Sequence, residues 1–411
     1  MSEYLIDGMR VSKEHPLYQQ SLETAYAEKS RPTCLCKESG VPMYIAKLSP
    51  SEYLIKRMPN TGKDHGIDCE SYEIPSELSG RGDLDDKAVL EDQETGLTNL
   101  KLDFSLSKIT SSRSGSMAAS EGATTVSASP KKLSILSLLH FIYEEAALNK
   151  WSPRMAGKRN WYIVRKHLLD AAANKVSRRN KISDFLFIPE VFQVDRKDEI
   201  EARRKQFMNK LTVKDGKQPM GILIGELKAI ESARFGHKLV IKHLPGTPFY
   251  LNDGLYKRIS KVFDQELAFF HENEGIHLLV VSTFLLSSSG NPSVDTISLM
   301  TVDRNWLPFE NIHEMELNER LSADRHFIKG MRYNLKKKDV IASALLTDTD
   351  EPNAIYIQPD QEDEPYIEQM NSVIESSELN SVVWDVNSGQ VLQLPPAAEK
   401  KTKWTNNNAN S

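Results

Sequence analysis

The sequence predicts an α+β fold with a small N-terminal zinc-ribbon-like hairpin module, a helical basic module and a C-terminal mixed α+β domain. Three observations predict it. All three cysteines lie between positions 34 and 69, a Ser-, Thr-, Ala- and Gly-rich stretch follows at 105–130, and strand-like segments outnumber helical ones after position 219. A chain of 411 residues also has room for two or three domains of about 150 residues each.

The domain boundaries follow from these changes in composition. Small polar residues cannot bury enough apolar surface to order a segment, so the stretch after position 104 is expected to be a linker. The predicted parts are 30–104 for the zinc-ribbon-like module, 105–130 for a flexible linker, 131–215 for the helical basic module, 216–393 for the α+β domain and 394–411 for a disordered tail.

Within these parts, the period of the apolar residues predicts individual elements. Apolar residues at 135, 138, 139, 142 and 146 predict one buried helix face. Further helices are expected at 160–175, 195–210 and 251–270. Strands are expected at 41–48, 53–58, 185–189, 219–230, 237–244, 276–286, 293–302, 340–346, 354–357 and 382–386.

The cysteines and one histidine form the pattern Cys34-x-Cys36, 28 residues, then His65-x3-Cys69. Two close pairs of soft or borderline ligands are what tetrahedral zinc requires, and a hairpin between them would bring the pairs together. Four protein ligands leave no position for water, so the zinc is expected to be structural. The alternative is three ordinary thiols and a surface histidine.

The same segment resembles a known family. Cys34-Leu-Cys36, then Gly40-Val-Pro-Met-Tyr-Ile-Ala and His65-x3-Cys69, are similar to the start of the uncharacterised bacterial family called domain of unknown function eleven seventy-three. Gly225-Glu-Leu-Lys228 and Lys329-Gly-Met-Arg-Tyr-Asn334 extend the resemblance over most of 30–390. Its members carry three cysteines near the N-terminus and often reside on plasmids and integrative conjugative elements. The resemblance implies no activity.

A basic segment at 150–181 holds ten Lys and Arg against one acid, with Trp151, Trp161 and Tyr162 interleaved. Such a segment attracts nucleic-acid phosphates, and exposed aromatics could stack on bases. An acidic stretch at 345–380 could instead pair with these cations, and no residue distinguishes the two interpretations. The candidate nucleic-acid contacts are Lys158, Arg159, Arg165, Lys166, Arg178 and Arg179.

Two weaker patterns suggest catalysis. Glu226 and Lys228 form half of a metal-dependent nuclease signature, in which carboxylates hold a divalent ion and a lysine assists water. Asp348 and Asp350 precede a strand as a second candidate, but that strand, 354–357, carries no carboxylate. At best, these patterns indicate a degenerate nuclease-like core.

The leading hypothesis is therefore a non-catalytic, zinc-containing nucleic-acid-binding accessory protein of a mobile genetic element, with DNA or RNA as partner. The alternatives are a metal-dependent nuclease or degenerate nuclease-like protein, and a protein-interaction adaptor. The N-terminus lacks the apolar region of a secretory signal, and no apolar run reaches the roughly 20 residues of a membrane span. With so few cysteines, this predicts a reducing, cytoplasmic location and no membrane partner.

Overall fold

The computed structural model describes residues 3–49, 51–82, 84–93, 95–109, 131–359 and 364–398. The described helices are α1 Tyr18–Ala27, α2 Ile135–Glu145, α3 Trp161–Ala172, α4 Lys197–Lys210, α5 Asp253–Val262, α6 Asp264–Glu272, α7 Ile312–Ser322 and α8 Glu364–Ser376.

The described strands form several sheets of mixed size, so the fold is mixed α and β. They are β1 Glu3–Ile6, β2 Met9–Ser12, β3 Thr33–Cys34, β4 Val41–Ser49, β5 Glu52–Arg57, β6 Val89–Glu91, β7 Thr98–Leu100, β8 Ser107–Ile109, β9 Lys150–Trp151, β10 Lys175–Ser177, β11 Asn180–Lys181, β12 Leu186–Phe187, β13 Lys217–Pro219, β14 Gly221–Ser232, β15 His237–Ile241, β16 Phe249–Leu251, β17 His277–Leu286, β18 Pro292–Val302, β19 Phe327–Lys329, β20 Ala344–Leu346, β21 Asn353–Gln358 and β22 Asn380–Asp385.

The N-terminal sheet has the order β2–β1–β3–β4–β5, and each neighbouring pair is antiparallel. Helix α1 packs on it through Tyr18, Leu22 and Ala25. The predicted hairpin is present as β4 and β5. Strand β1 pairs with β3, so the sheet includes residues that precede the predicted boundary at position 30.

Five strands of the C-terminal half close into a barrel of order β14–β15–β16–β18–β17, because β17 also pairs with β14. β14 reaches both neighbours because it is twelve residues long: 221–226 pairs with β17, and 227–232 pairs with β15. The pair β16–β18 is parallel and the other four pairs are antiparallel. In sequence, α5 and α6 lie between β16 and β17.

Helix α2 lies in the largest core of the described chain. It packs against Leu279 and Met300 on the outside of the barrel, and against α3. The five predicted apolar positions are buried, but so are Phe141 and Tyr143. The prediction of one buried face was therefore too narrow, because the helix is surrounded by other elements.

A further sheet, β22–β21–β20–β19–β9, joins β9, at the start of the basic segment, to four strands that follow that segment in the chain. β9 pairs with β19, and α8 connects the parallel strands β21 and β22. Most of the predicted linker lies outside the described residues. Its described part includes β8, which pairs with β13 and so is ordered by a strand distant in sequence. Of the predicted tail, only 394–398 is described, and the amide of Ala398 donates to the carbonyl of Asp348.

The predicted helix at 251–270 is two helices rather than one. The backbone of Phe263 is not helical (φ −115°, ψ 31°), and α6 begins at the next residue. Leu255, Ile259 and Phe263 are nevertheless buried in the barrel core, and Val262 and Leu267 pack against it. The prediction located the apolar side correctly and missed the break.

Candidate metal centre and nucleic-acid interface

The four predicted metal ligands come together from two short segments. Cys34 ends β3, and Cys36 lies in the turn that follows. His65 directly follows the 3-10 turn Gly62–Asp64. Cys69 lies in a further turn, where its amide donates to the carbonyl of Gly66 over 2.8 Å. The β4–β5 hairpin lies between the two segments, as the sequence pattern required.

The distances between ligand atoms match a tetrahedral site. Cys34 Sγ is 3.7 Å from Cys69 Sγ, and His65 Nδ1 is 3.4 Å from Cys36 Sγ and 3.7 Å from Cys69 Sγ. All four ligand atoms lie within 4.8 Å of one another. Zinc–sulfur and zinc–nitrogen bonds in a tetrahedron give edges of about 3.8 Å between sulfurs and about 3.6 Å between sulfur and nitrogen. These four side chains could therefore bind a metal ion.

Main-chain groups support the sulfur atoms. The amide of Gly66 lies 3.2 Å from Cys36 Sγ, and the amide of Ser71 lies 3.4 Å from Cys69 Sγ. Residue 66 must be glycine, because a Cβ there would lie 2.8 Å from the carbonyl oxygen of Cys36. N–H groups directed at sulfur favour the thiolate, which is the form that binds metal.

Burial and mutual contact set the protonation of the thiols. Cys34 and His65 are each only 1% exposed. Contact with Cys69, followed by burial, raises the pKa of the Cys34 thiol. The same contact with Cys34, together with His65, lowers the pKa of Cys69 to about 3. Contact between the two sulfurs therefore shifts the two thiol pKa values in opposite directions.

The cluster lies where two hydrophobic cores meet. Cys69 packs against the core of the N-terminal sheet and against a second core that includes Tyr72, Leu78 and Ile328. Nearby, Lys150 Nζ donates to the carbonyls of Glu70 and Tyr72 over 2.9 and 2.7 Å. A metal ion here would connect the N-terminal sheet to the body of the protein.

Two of the six predicted nucleic-acid residues make main-chain contacts within the protein. The Arg159 guanidinium donates to the carbonyls of Leu148 over 2.8 Å and Asn305 over 3.2 Å. It also donates to the carbonyl of Lys150. Arg165 Nε donates to the carbonyl of Ile188 over 2.9 Å. These contacts give both arginines a structural role.

The other four are exposed and available to a ligand: Lys158, Lys166, Arg178 and Arg179. The two tryptophans expected to stack on bases are buried instead. The indole N–H of Trp151 donates to the carbonyl of Ser322, and that of Trp161 donates to the carbonyl of Pro189. Tyr162 remains 62% exposed.

The acidic stretch at 345–380 does not neutralise this basic segment within the described part of the chain. No ion pair between described residues joins the two. Lys175 pairs with Glu145 at 2.7 Å, and Lys166 lies 3.9 Å from Asp170. In the acidic stretch, the carboxylate of Asp348 is bound by Arg325 instead.

The nuclease candidates do not converge on one site. Glu226 is buried, and its Oε1 contacts Lys242 Nζ and, at 2.6 Å, His277 Nδ1. Burial raises the pKa of Glu226, but hydrogen bonds from His277 and Lys242 outweigh it and leave the pKa below its usual value. Lys228 is exposed. Among the described residues, only the cysteine and histidine cluster brings three or more potential metal ligands together.

The second carboxylate candidate is also occupied. Asp348 receives two hydrogen bonds from Arg325, over 2.8 and 2.9 Å, and one from the amide of His326 over 2.9 Å. Asp350 is exposed. Asp348 therefore fixes the end of β20 relative to the C-terminus of α7.

One surface was missed in the sequence. We call it the barrel face: Lys238 and Tyr250, which lie opposite each other on β15 and β16, together with the loops 233–236 and 287–291. Phe235 in the first loop is 81% exposed, and the Arg234 guanidinium lies 5.3 Å from its ring centre. The signal in the sequence that could have indicated this surface is Phe235, an aromatic residue between Arg234 and Gly236 in a tight turn.

The fold and the cluster define a mixed α and β protein with a Cys3His set that could bind a metal ion. The chain belongs to the family described as Protein of unknown function (DUF1173), which matches residues 4–387. This confirms the resemblance drawn from the N-terminal motifs. No curated protein and no solved structure matches the chain. Within the described ranges, no helix has the length and apolar character needed to cross a bilayer.

Proposed function

We propose that this protein is a non-catalytic, zinc-containing protein that binds single-stranded nucleic acid through the barrel face. The observation that carries the proposal is the connectivity of the barrel. Five strands in the order first, second, third, fifth, fourth, with the third and fifth parallel and a helical segment between the third and fourth, form the Greek-key barrel of the OB-fold. OB-folds bind oligonucleotides or oligosaccharides on strands two and three and on the two loops that flank them.

The chemistry of the barrel face favours a nucleic acid. In OB-fold terms, strands two and three are β15 and β16, and the flanking loops are 233–236 and 287–291. Tyr250 lies opposite Lys238 on one side and Ser293 on the other, so it lies between the two loops. Exposed aromatic rings stack on unpaired bases, and Arg and Lys contact phosphates. Phe235 and Arg234 offer both kinds of group. Lys238 Nζ lies 3.1 Å from Glu231 Oε2, so a phosphate would compete with that carboxylate for Lys238.

The basic segment adds a second contact area in this proposal. Its four exposed cations, Lys158, Lys166, Arg178 and Arg179, would bind phosphates without reading sequence. Zinc at Cys34, Cys36, His65 and Cys69 is assigned a structural role, because four protein ligands complete a tetrahedron. The accessory role on a mobile genetic element is proposed from the family resemblance. A cytoplasmic location is proposed because three cysteines are too few for a disulfide scaffold, and an odd number would leave one thiol unpaired in an oxidising compartment.

The test is a titration of labelled single-stranded DNA, single-stranded RNA and duplex DNA with the intact protein, followed by fluorescence anisotropy. Phe235→Ala should weaken single-strand binding by about 1–3 kcal/mol, which is roughly 5- to 150-fold, because one stacking platform is removed. Val194→Ala is the matched control, since Val194 is also 81% exposed and lies outside the barrel face.

Replacing Lys158, Lys166, Arg178 and Arg179 with alanine should flatten the salt dependence. The slope of log K against log salt concentration should become less negative by about 0.7 to 0.9 for each phosphate that is no longer neutralised. If the intact protein shows no affinity for any of the three probes at low salt, the proposal is wrong. Unchanged binding by Phe235→Ala would remove the barrel face from it. Cleavage of a probe in magnesium or manganese would instead support the nuclease alternative.

A further inference from the structure

A cleft of about 300 Å³ lies between α3, the segment 186–190, α4 and the turn at 243–244. Its described wall shares no residue with the barrel face or with the cysteine and histidine cluster. The four exposed cations of the basic segment do not line it either. The volume is at the lower end of the range for small-molecule sites, about 300–1,000 Å³, which suits a ligand with one ring system.

The charged side chains of the cleft favour an anionic ligand. Its described wall holds four cations, Arg165, Arg203, Arg204 and Lys210, and one acid, Glu190. Arg203 donates to both carboxylate oxygens of Glu190, over 2.8 and 2.9 Å, and these hydrogen bonds hold the pKa of Glu190 below its usual value. The charge of Glu190 is therefore occupied by Arg203, and three cations of the wall remain for a ligand.

Two of these three cations have donor nitrogens without a partner among the described residues. The Arg204 side chain is only 15% exposed, yet its one ion-pair contact there, with Glu201, is 4.0 Å long and too distant for a hydrogen bond. Arg165 uses only Nε, which donates to the carbonyl of Ile188 over 2.9 Å. The remaining guanidinium nitrogens of both arginines are accessible to solvent. Polar groups in such enclosed positions normally have partners, so these nitrogens indicate a ligand that supplies the acceptors.

The number of donors favours a phosphate over a carboxylate. Lys210, which is exposed and has no ion-pair partner among the described residues, adds an ammonium group at the end of α4. A phosphate monoester carries a charge of about −1.5 to −2 at neutral pH and has three terminal oxygens. A carboxylate carries a single charge on two oxygens. Three cations around one cleft therefore match a phosphate monoester better.

The same cleft also offers aromatic surface. Phe187 and Phe207 both line it, with 5.2 Å between their ring centres. Each ring is half-buried, because it packs against the barrel core and keeps part of its surface exposed. Leu169 and Leu244 add apolar surface to the wall. Aromatic rings pack on one another at about 4.5–7 Å between centres, so a ring on the ligand would extend this pair.

We propose that this cleft binds a small phosphate monoester that carries an aromatic ring. The phosphate accepts hydrogen bonds from Arg165, Arg204 and Lys210, and the ring packs against Phe207. A terminal phosphate of a nucleic-acid strand has the same chemistry, and the limited volume of the cleft favours the free small molecule. The inference is independent of the proposed nucleic-acid function, because no residue assigned to that function lines the cleft.

The test is calorimetric titration of the full chain with phenyl phosphate, inorganic phosphate and benzoate. Phenyl phosphate should bind most tightly, because inorganic phosphate lacks the ring and benzoate lacks the second charge. Arg204→Gln should weaken binding of phenyl phosphate by about tenfold or more, because hydrogen bonds between charged groups are lost. Lys205→Gln is the matched control, since Lys205 is an exposed cation of the same helix that does not line the cleft, and binding should be unchanged.

Two further variants separate the ring from the phosphate. Phe207→Leu should weaken binding of phenyl phosphate by about two- to tenfold and leave binding of inorganic phosphate unchanged. Lys210→Ala, at an exposed position, should weaken binding of both phosphates and leaves the apolar wall intact. Single-stranded DNA that carries a terminal phosphate, added as a competitor, should displace phenyl phosphate no better than unlabelled phenyl phosphate does.

Four outcomes would overturn the inference. Phenyl phosphate could show no binding at millimolar concentration, or benzoate or inorganic phosphate could bind as tightly as phenyl phosphate. Arg204→Gln and Lys210→Ala could both bind phenyl phosphate as well as the unmodified protein does. Displacement by lower concentrations of the phosphorylated DNA would assign the cleft to the end of a nucleic-acid strand instead of a small molecule.

Discussion

The N-terminal sheet and the barrel differ in how much apolar surface each can bury. Strands β1 and β2 have four residues each and β3 has two, and their core includes three tyrosines and Cys34. Strands β14, β17 and β18 have ten to twelve residues, and the buried barrel core consists of Leu, Ile, Val and Phe.

This difference explains why the metal ligands lie beside the smaller core. A region as small as the N-terminal sheet with its single helix buries too little apolar surface for more than marginal stability, and a metal or disulfide usually supplies the remainder. Three of the five barrel strands are long and contribute to a large apolar core, so the barrel is expected to be stable without such support. The comparison predicts that the two regions can be disrupted separately.

The largest expected effect comes from Cys69→Ser. Structural zinc contributes about 10 kcal/mol or more to small metal-dependent modules, which is comparable to the whole stability of a domain. The variant should lose about one zinc per chain and expose the N-terminal sheet. Hydrogen exchange should show loss of protection at 41–57, while 277–302 in the barrel stays protected.

The reciprocal control is Phe249→Ala. Phe249 is fully buried in the barrel and meets Phe284 edge-on, with 5.0 Å between ring centres. Its truncation should cost about 3–5 kcal/mol and expose the barrel, while the zinc content stays the same. If Cys69→Ser retains its zinc, Cys69 is not a metal ligand. If both variants expose the same residues, the two regions are not independent.

The sequence predicted the features that are formed by residues close together in the chain. The metal cluster has two ligand pairs, each confined to a short stretch of chain, so spacing alone indicated it. The strands of the hairpins β4–β5 and β17–β18 were predicted for the same reason. The closure of the barrel was not predicted, because the pairing of β14 with β17 joins Gly221 to Phe284, and partners so distant in sequence leave no local pattern.

The basic segment shows the same limit of prediction from sequence. Its charge was evident, but the fate of each cation was not. Arg159 donates to the carbonyl of Asn305, which is 146 residues away, and Lys175 is buried against Glu145. Local charge density therefore overestimated the cations available to a ligand. Strands β1 and β2 were missed because they are too short to show alternation among polar residues.

A smaller change in stability tests whether the basic segment, through Arg159, is part of the same folded region as the barrel. Arg159→Ala removes a charged donor from main-chain carbonyls on two sides of the core, and should destabilise the protein by about 2–4 kcal/mol. Burial lowers the pKa of Arg159, but arginine stays charged at any pH of the test. Urea unfolding followed by tryptophan fluorescence measures the change.

Lys158→Ala is the neighbouring control. The Lys158 side chain is exposed and has no hydrogen-bond or ion-pair partner among the described residues, so its removal should change stability by less than about 0.5 kcal/mol. Equal stability of the two variants would show that the Arg159 contacts contribute nothing measurable. A loss of zinc in Arg159→Ala would instead connect the segment to the N-terminal sheet.

The last expected effect is a dependence of stability on pH that originates in α2. His140 has a folded-state pKa of about 3 and an unfolded value near 6.5, so between these pH values the unfolded chain binds the extra proton. The stabilisation is complete above about pH 6.5 and decreases as the pH falls towards 3, by up to about 1.4 kcal/mol per pH unit. Asp303 acts in the opposite direction between about pH 4 and 6, because burial raises its pKa to about 6.

The contribution of His140 is therefore measured as a difference between two proteins. His140→Asn keeps an acceptor for the amide of Tyr333 and removes the titrating group, while Asp303 is unchanged. Urea unfolding of both proteins from pH 4 to 6.5 should show a stability that increases with pH more steeply in the unmodified protein. Parallel curves would mean that His140 binds its proton equally well in both states, and that the core around α2 is open to water on the barrel side.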